Sequence, residues 1–257
     1  MELTAWELQF AFVGCVAVAT YVQNLTGFAF GLILLGLVSV LRLASVPDAA
    51  NAATLLTLAN TVSYLRLHPL QPQWRVVTPA IVPSLLGVAA GVALLAWLSS
   101  NAALALRGLL GVAIVACALL LLVSATPRAQ LSSRASFRAI GALSGLMGGL
   151  FSSAGPPLVF HLYRQPLPRD VVQQCLVLMF GINQLLRLVL ILAAGRFTTH
   201  SIVLGLSAFP VVYAVTWWQH RHPPQISAAT IRRATAGLLM LAGGSMVASL
   251  WLRTGAQ

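Results

Sequence analysis

The stretch GLMGGLFSSAGPPLVFHLYRQPLPRDVVQQC, residues 145–175, lies between long apolar runs yet is crowded with small residues, hydroxyls and prolines. Of the 257 residues, 59% are hydrophobic and 7% charged, against ~25% charged in a soluble domain. The solvent for most of this chain is therefore a bilayer. There, irregular backbone leaves polar groups unpaired and is tolerated only where it is buried in protein or lines a cavity. The break at SSAGPP (152–157) thus marks either a tight interhelical turn of small residues or a binding site.

Working outward, a first set of apolar runs falls at 6–23, 28–43, 49–67, 76–98 and 102–123, and a second at 139–151, which ends at the break, and at 158–163, 171–194, 199–218 and 227–252 beyond it. Most approach the ~20 residues a membrane helix needs. A polar, Arg-bearing linker at 124–138 separates the two sets of five. The sets correspond: NLTGFAFG (24–31) breaks the first as SSAGPP breaks the second, and Arg66 and Arg187 each lie nineteen residues after a proline, Pro47 and Pro168. The expected fold is an all-α integral membrane protein, a polytopic bundle of 8–10 membrane segments. It comprises a first repeat over 1–123, a cytoplasmic linker at 124–138 and a second repeat over 139–257, with broken or re-entrant helices. An odd number of crossings per repeat makes the repeats inverted.

The basic residues are all arginines, and the net charge is +11. In a soluble protein that would suggest nucleic acid; here the arginines cluster at the ends of apolar runs and set topology. With the N-terminus outside, Arg66, Arg75, Arg128, Arg134, Arg138, Arg164, Arg169, Arg221, Arg232 and Arg233 fall inside, and Arg42, Arg196 and Arg253 fall outside. Both termini are then periplasmic. Glu2 and Glu7, with no base before Arg42, are the reverse of a signal-peptide start. Cys15, Cys117 and Cys175 stand singly in apolar runs, with neither disulfide nor zinc spacing. No cofactor or metal is expected.

Small residues at the break let backbone N–H groups be approached, Pro156 and Pro157 suit a helix's first turn, and helix N-termini attract anions. Ser152, Ser153 and Gly155, with Asn24, Thr26 and Gly27 in the first repeat, are the expected hydrogen-bonding residues. Arg187 lies deep in an apolar run, where an arginine costs roughly 2.5–3.5 kcal/mol, so it should face the bundle interior. Asn183 shares its face and Gln184 lies beside it. The polar stripe Asn51, Thr54, Thr57, Asn60 and Tyr64 in the matching helix suits interhelical hydrogen bonding. Arg107, close to a turn, can snorkel. His161, just past the break, is a candidate for proton coupling. A Ser152 or Ser153 nucleophile with His161 as base would be an intramembrane hydrolase, but it lacks both an orienting carboxylate and the G-x-S-x-G elbow. No catalytic residue is assigned.

Taken in order, TGFAFGLILLGL, VPDAANAATLLTLAN, the stretch 145–175 and NQLLRLVLILAAG make nearly the whole chain resemble the sulfite exporter TauE/SafE family, also called the toluene sulfonate uptake permease family. The resemblance implies an inner-membrane transporter of a sulfur-containing anion such as sulfite, sulfoacetate or another sulfonate. Its partners are that anion and membrane lipid, and nucleic acid is not among them. Phe28, Ala29 and Phe30 replace the family's usual glycine-rich first motif, which favours an organic substrate. An anion channel and a proton-coupled carrier are the alternatives within transport.

The Arg asymmetry generates a topological prediction. With the native cysteines replaced, a cysteine at Gln130 should resist an impermeant thiol reagent in intact cells, and one at Thr4 should react. Labelling at Gln130 and not at Thr4 would invert the orientation.

Overall fold

The structure, a computed structural model, describes residues 5–26, 28–67, 72–122, 128–153, 155–222 and 228–254. Those residues form ten α-helices and no strands. In chain order they are α1 (Ala5–Thr26), α2 (Phe30–Val40), α3 (Val46–Leu67), α4 (Trp74–Asn101), α5 (Ala103–Leu122), α6 (Arg134–Phe151), α7 (Pro156–Tyr163), α8 (Arg169–Ala193), α9 (Thr199–Arg221) and α10 (Ala228–Thr254). Each occupies one of the ten apolar runs.

Length sorts the helices. Trp6–Thr26, Trp74–Asn101, Ala103–Leu122, Asp170–Ala193 and Thr199–Arg221 are both long and apolar enough to cross a bilayer. The 22-residue α3 matches α1 in length but carries the polar stripe. By contrast α2, with 11 residues, and α7, with 8, extend about 16 and 12 Å at 1.5 Å per residue, short of ~30 Å of hydrocarbon. The second segment is thus a partial helix in both halves. The chain is a multi-pass membrane protein.

The breaks before these short helices share one device. Ser152 ends α6 in the left-handed region (φ 53, ψ 26), Gly155 precedes α7 with φ 60, and Pro156 and Pro157 open α7. Ala29 precedes α2 with φ 80, a conformation rare outside glycine. The two breaks abut: a Cβ added to Gly31 would lie 2.6 Å from the Ser152 carbonyl oxygen.

The larger helix pairings keep their pattern when each helix in one half is exchanged for its counterpart five places along the chain. Thus α4–α6 corresponds to α1–α9, α4–α8 to α3–α9, and α5–α7 to α2–α10, while α3–α8 and α5–α10 map onto themselves. The closest pair is α4–α6. Gly141, Gly145 and Gly149, four residues apart, lie against Ala80, Ser84 and Val88 at the same spacing, a seam of small residues that brings backbones together. A Cβ at Gly145 would sit 1.9 Å from the Ser84 carbonyl oxygen, and one at Gly141 would sit 2.4 Å from that of Ala80.

Since backbone cannot yield as a side-chain tip can, Gly145→Val should separate α4 from α6 and lower Tm by roughly 10 °C or more. Gly14→Ala, with nothing within 4 Å of the added carbon, should leave Tm unchanged. Thermal unfolding in detergent, followed by light scattering, distinguishes the two outcomes.

Candidate functional site

Arg187 stands on α8 six residues before its last residue, Ala193, less than two turns from the end of the helix. It is 0% exposed, which removes the snorkelling escape available to an arginine near a membrane face. Its ligands come from two other helices, α6 and α3. Nε donates to the Gly149 carbonyl of α6 at 3.0 Å, and Nη1 donates to the Ala50 carbonyl of α3 at 3.0 Å. Nη1 also donates to the Thr54 hydroxyl and approaches Asn51 Oδ1 at 3.5 Å. Nη2 is buried without a hydrogen-bond partner.

The sequence explains why the Gly149 carbonyl is available. In a helix that oxygen would accept from the N–H four residues on, at Ser153, but α6 ends at Phe151. The carbonyls of a last helical turn lack intrahelical partners and carry the negative end of the helix dipole. The SSAGPP break therefore creates an acceptor for the guanidinium.

Ser152 joins the same cluster. Its hydroxyl pairs with Thr54 Oγ1 at 3.1 Å and with Gln184 Oε1 at 3.1 Å, while Gln184 Nε2 donates to the Ser152 carbonyl at 2.6 Å. Ser152, Gln184, Thr54 and Arg187 are each at most 1% exposed, so the cluster is closed to solvent. Ser153 is buried alongside. The space a Cβ would take at Gly155 is filled by Met147 Sδ, 2.9 Å away. Asn183 turns elsewhere: its Nδ2 donates to Ser84 Oγ on α4 at 2.7 Å, and its Oδ1 is buried without a partner. The orientation of Arg187 comes from Gly149, Ala50 and Thr54.

The first-repeat residues form a second network. Asn24 Nδ2 donates to Thr216 at 3.1 Å and to Gln219 at 2.8 Å, and Asn24 Oδ1 accepts from Asn60 at 3.1 Å. Thr216 donates to Asn60 Oδ1 at 2.9 Å. Thr26 Oγ1 donates within its own turn, to the Val22 and Phe28 carbonyls. Gly27 lies outside the described residues. Thr54 and Asn60 both stand on α3, so the two networks lie about 9 Å apart along it. Thr57, buried with an unpartnered hydroxyl, falls between them. Thr216 and Gln219 escaped the sequence reading, although a polar pair three residues apart in an apolar span was their visible mark. Phe28 and Phe30 are core residues.

The hydrogen-bond partners of Arg187 include no carboxylate. Glu7, Asp48 and Asp170 each occupy the first turn of a helix, where a carboxylate complements the dipole. Asp48 accepts from Ser45, Thr198 and Ser201 at 2.6, 2.6 and 2.9 Å. His161 sits on α7 with its ring edge-on to Phe137, centroids 4.8 Å apart, while the Ser152 hydroxyl is engaged by Thr54 and Gln184.

The bundle thus encloses a buried arginine, one of whose nitrogens is unpartnered, beside two helix breaks. The family described as "Sulfite exporter TauE/SafE" matches residues 11–246. A protein of Cupriavidus necator named "Probable sulfite/organosulfonate exporter TauE" is 36% identical over 228 residues, 89% of each chain. The chain belongs to the TauE/SafE family of membrane anion transporters, and as such it is not an enzyme.

Proposed function

We propose that this protein exports a sulfur-containing anion, sulfite or an organosulfonate such as sulfoacetate, across the inner membrane, binding it where the two helix breaks meet. One observation carries the reading: the guanidinium of Arg187 is divided. Its Nε completes α6 and its Nη1 bonds to α3, while Nη2 remains buried and unpartnered. A buried donor without an acceptor costs about 1–3 kcal/mol, more when charged, and an oxyanion removes that cost while neutralising the charge. Ser152, Ser153 and Gly155 frame the oxyanion beside Arg187. Asn183 offers an unpartnered carbonyl that suits a donor group on an organic substrate. Asn24, in the second network, and Thr26, two residues on, line the onward path.

An inverted repeat, 1–123 against 139–257, is supported by helix pairings that survive exchange of the halves. Burial of the Arg187 cluster supports a carrier over a channel, because access then requires one group of helices to move against the other. Replacing Arg187 tests the site. Arg187→Gln should weaken sulfite and sulfoacetate binding to purified protein by about a hundredfold or more. Arg187→Lys should restore part of it, since an ammonium lacks the planar fork. If the Gln variant stays monodisperse and binds like the parent, Arg187 serves only to complete α6.

The driving force follows from where the carboxylates stand. With Glu7, Asp48 and Asp170 all in first turns, a midplane carboxylate relay has no member among the described residues, and His161 or a proton borne by the substrate remains for coupling. A negative interior favours anion exit by ~2.3 kcal/mol per charge per 100 mV, about fiftyfold accumulation outside. Export is therefore electrogenic and driven by potential. In proteoliposomes with potential and pH gradient clamped separately, flux should follow the potential and saturate with substrate. Flux that tracks only the pH gradient would transfer the role to His161, and flux that fails to saturate would favour a channel.

A further inference from the structure

The linker does not hang free beneath the bundle. Its described part is fastened to the end of α7 by main-chain and side-chain hydrogen bonds. Arg128 N donates to the Arg164 carbonyl at 2.7 Å, and Ser132 N donates to Gln165 Oε1 at 2.9 Å. Gln165 Nε2 donates to Ser132 Oγ at 3.0 Å and to the His161 carbonyl at 2.7 Å. This clamp brings three nitrogen-bearing side chains to one corner. Arg128, held by Nη1 to Ser132 Oγ at 2.7 Å, reaches it from the linker, and Arg164 and His161 reach it from α7. The charges acting on the His161 imidazole are the two guanidiniums of Arg128 and Arg164.

Two polar atoms in this corner are buried without partners, Nε2 of His161 and Nε of Arg164. His161 is only 8% exposed. Its ring lies edge-on to Phe137, and the half-buried Arg164 guanidinium lies over the Phe160 ring at 5.3 Å. Like charges gathered around a buried imidazole repel one another, and leaving both nitrogens unpaired adds a desolvation cost. A ligand offering several acceptor oxygens and negative charge removes both. The carboxylates of Asp48 and Glu7 begin helices at the far end of the bundle, and Asp170, in the first turn of α8, is exposed.

We propose that His161, Arg128 and Arg164 form a second oxyanion-binding site at the linker end of the bundle, separate from Arg187. The ligand class is a sulfate- or phosphate-like oxyanion, in which one oxygen accepts from the His161 Nε2–H and others from the Arg164 and Arg128 guanidiniums. A free anion and the phosphodiester of an anionic lipid share this chemistry. Occupancy of the corner does not depend on the transport reading. A role in gathering anions ahead of the closed Arg187 site does rest on it.

The test uses full-length protein with ¹⁵N-labelled histidine in phosphatidylcholine nanodiscs at fixed ionic strength, the His161 ring signals being assigned with His161→Gln. Sodium sulfate should shift the His161 Nε2 resonance saturably. Arg128→Gln/Arg164→Gln should weaken that response by about tenfold or more, lysine at both positions should recover part of it, and Arg187→Gln should leave it intact. A shift on adding phosphatidylglycerol, with none from sulfate, assigns the corner to a lipid phosphate. Silence towards both probes, or an undiminished response in the double Gln variant, overturns the site. Loss of substrate binding in Arg187→Gln with the His161 response preserved separates this result from the fate of the transport site.

Discussion

The fold is organised around a positive charge it does not neutralise. Arg187 is enclosed by carbonyls and hydroxyls whose dipoles solvate it but carry no net charge. Dipoles can offset much of the cost of taking a guanidinium out of water, yet removing any one of them exposes a buried charge at several kcal/mol. Three helices are therefore constrained together. α6 has to stop where its Gly149 carbonyl meets Nε, α3 has to present Ala50 and Thr54 to Nη1, and α8 has to hold the stem. The close α4–α6 seam then acquires a purpose, since it fixes the end of α6 against a helix that also receives Asn183 through Ser84.

Much of this was legible because a bilayer leaves few choices. Runs of apolar residues located the helices, and the prolines of 152–157 located the break, since adjacent prolines cannot continue a helix and open a new one instead. Arg187 was legible because a charge deep in an apolar run has to face the bundle interior. Its partners were not. A helical period tells which residues share a face and is silent about which helix that face meets, so Thr54, 133 positions away, read only as part of a stripe. Asn183 shares the face of Arg187 in sequence but is drawn to Ser84. The Gly149 carbonyl carries no side-chain signal at all. The glycines at 141, 145 and 149 were visible, but small residues serve close packing and cavity lining alike, and only the neighbouring backbone decides between them.

The proposed substrate path also depends on how the two ends of α3 are tied to α9. At the linker end the tie consists of neutral amides and hydroxyls, Asn60 with Thr216 and, through Asn24, Gln219. At the other end it converges on Asp48, which accepts from Thr198 and Ser201 at the start of α9. Bonds to a carboxylate are roughly twice as strong as neutral ones, and neutral ones contribute about 0.5–1.5 kcal/mol each while trading readily with water. Parting α3 from α9 is therefore cheaper at the linker end. If the linker is inside, as the Arg distribution leads one to expect, the weaker closure faces the compartment from which an exporter must load, and the carboxylate-centred closure faces the side from which back-flow would come.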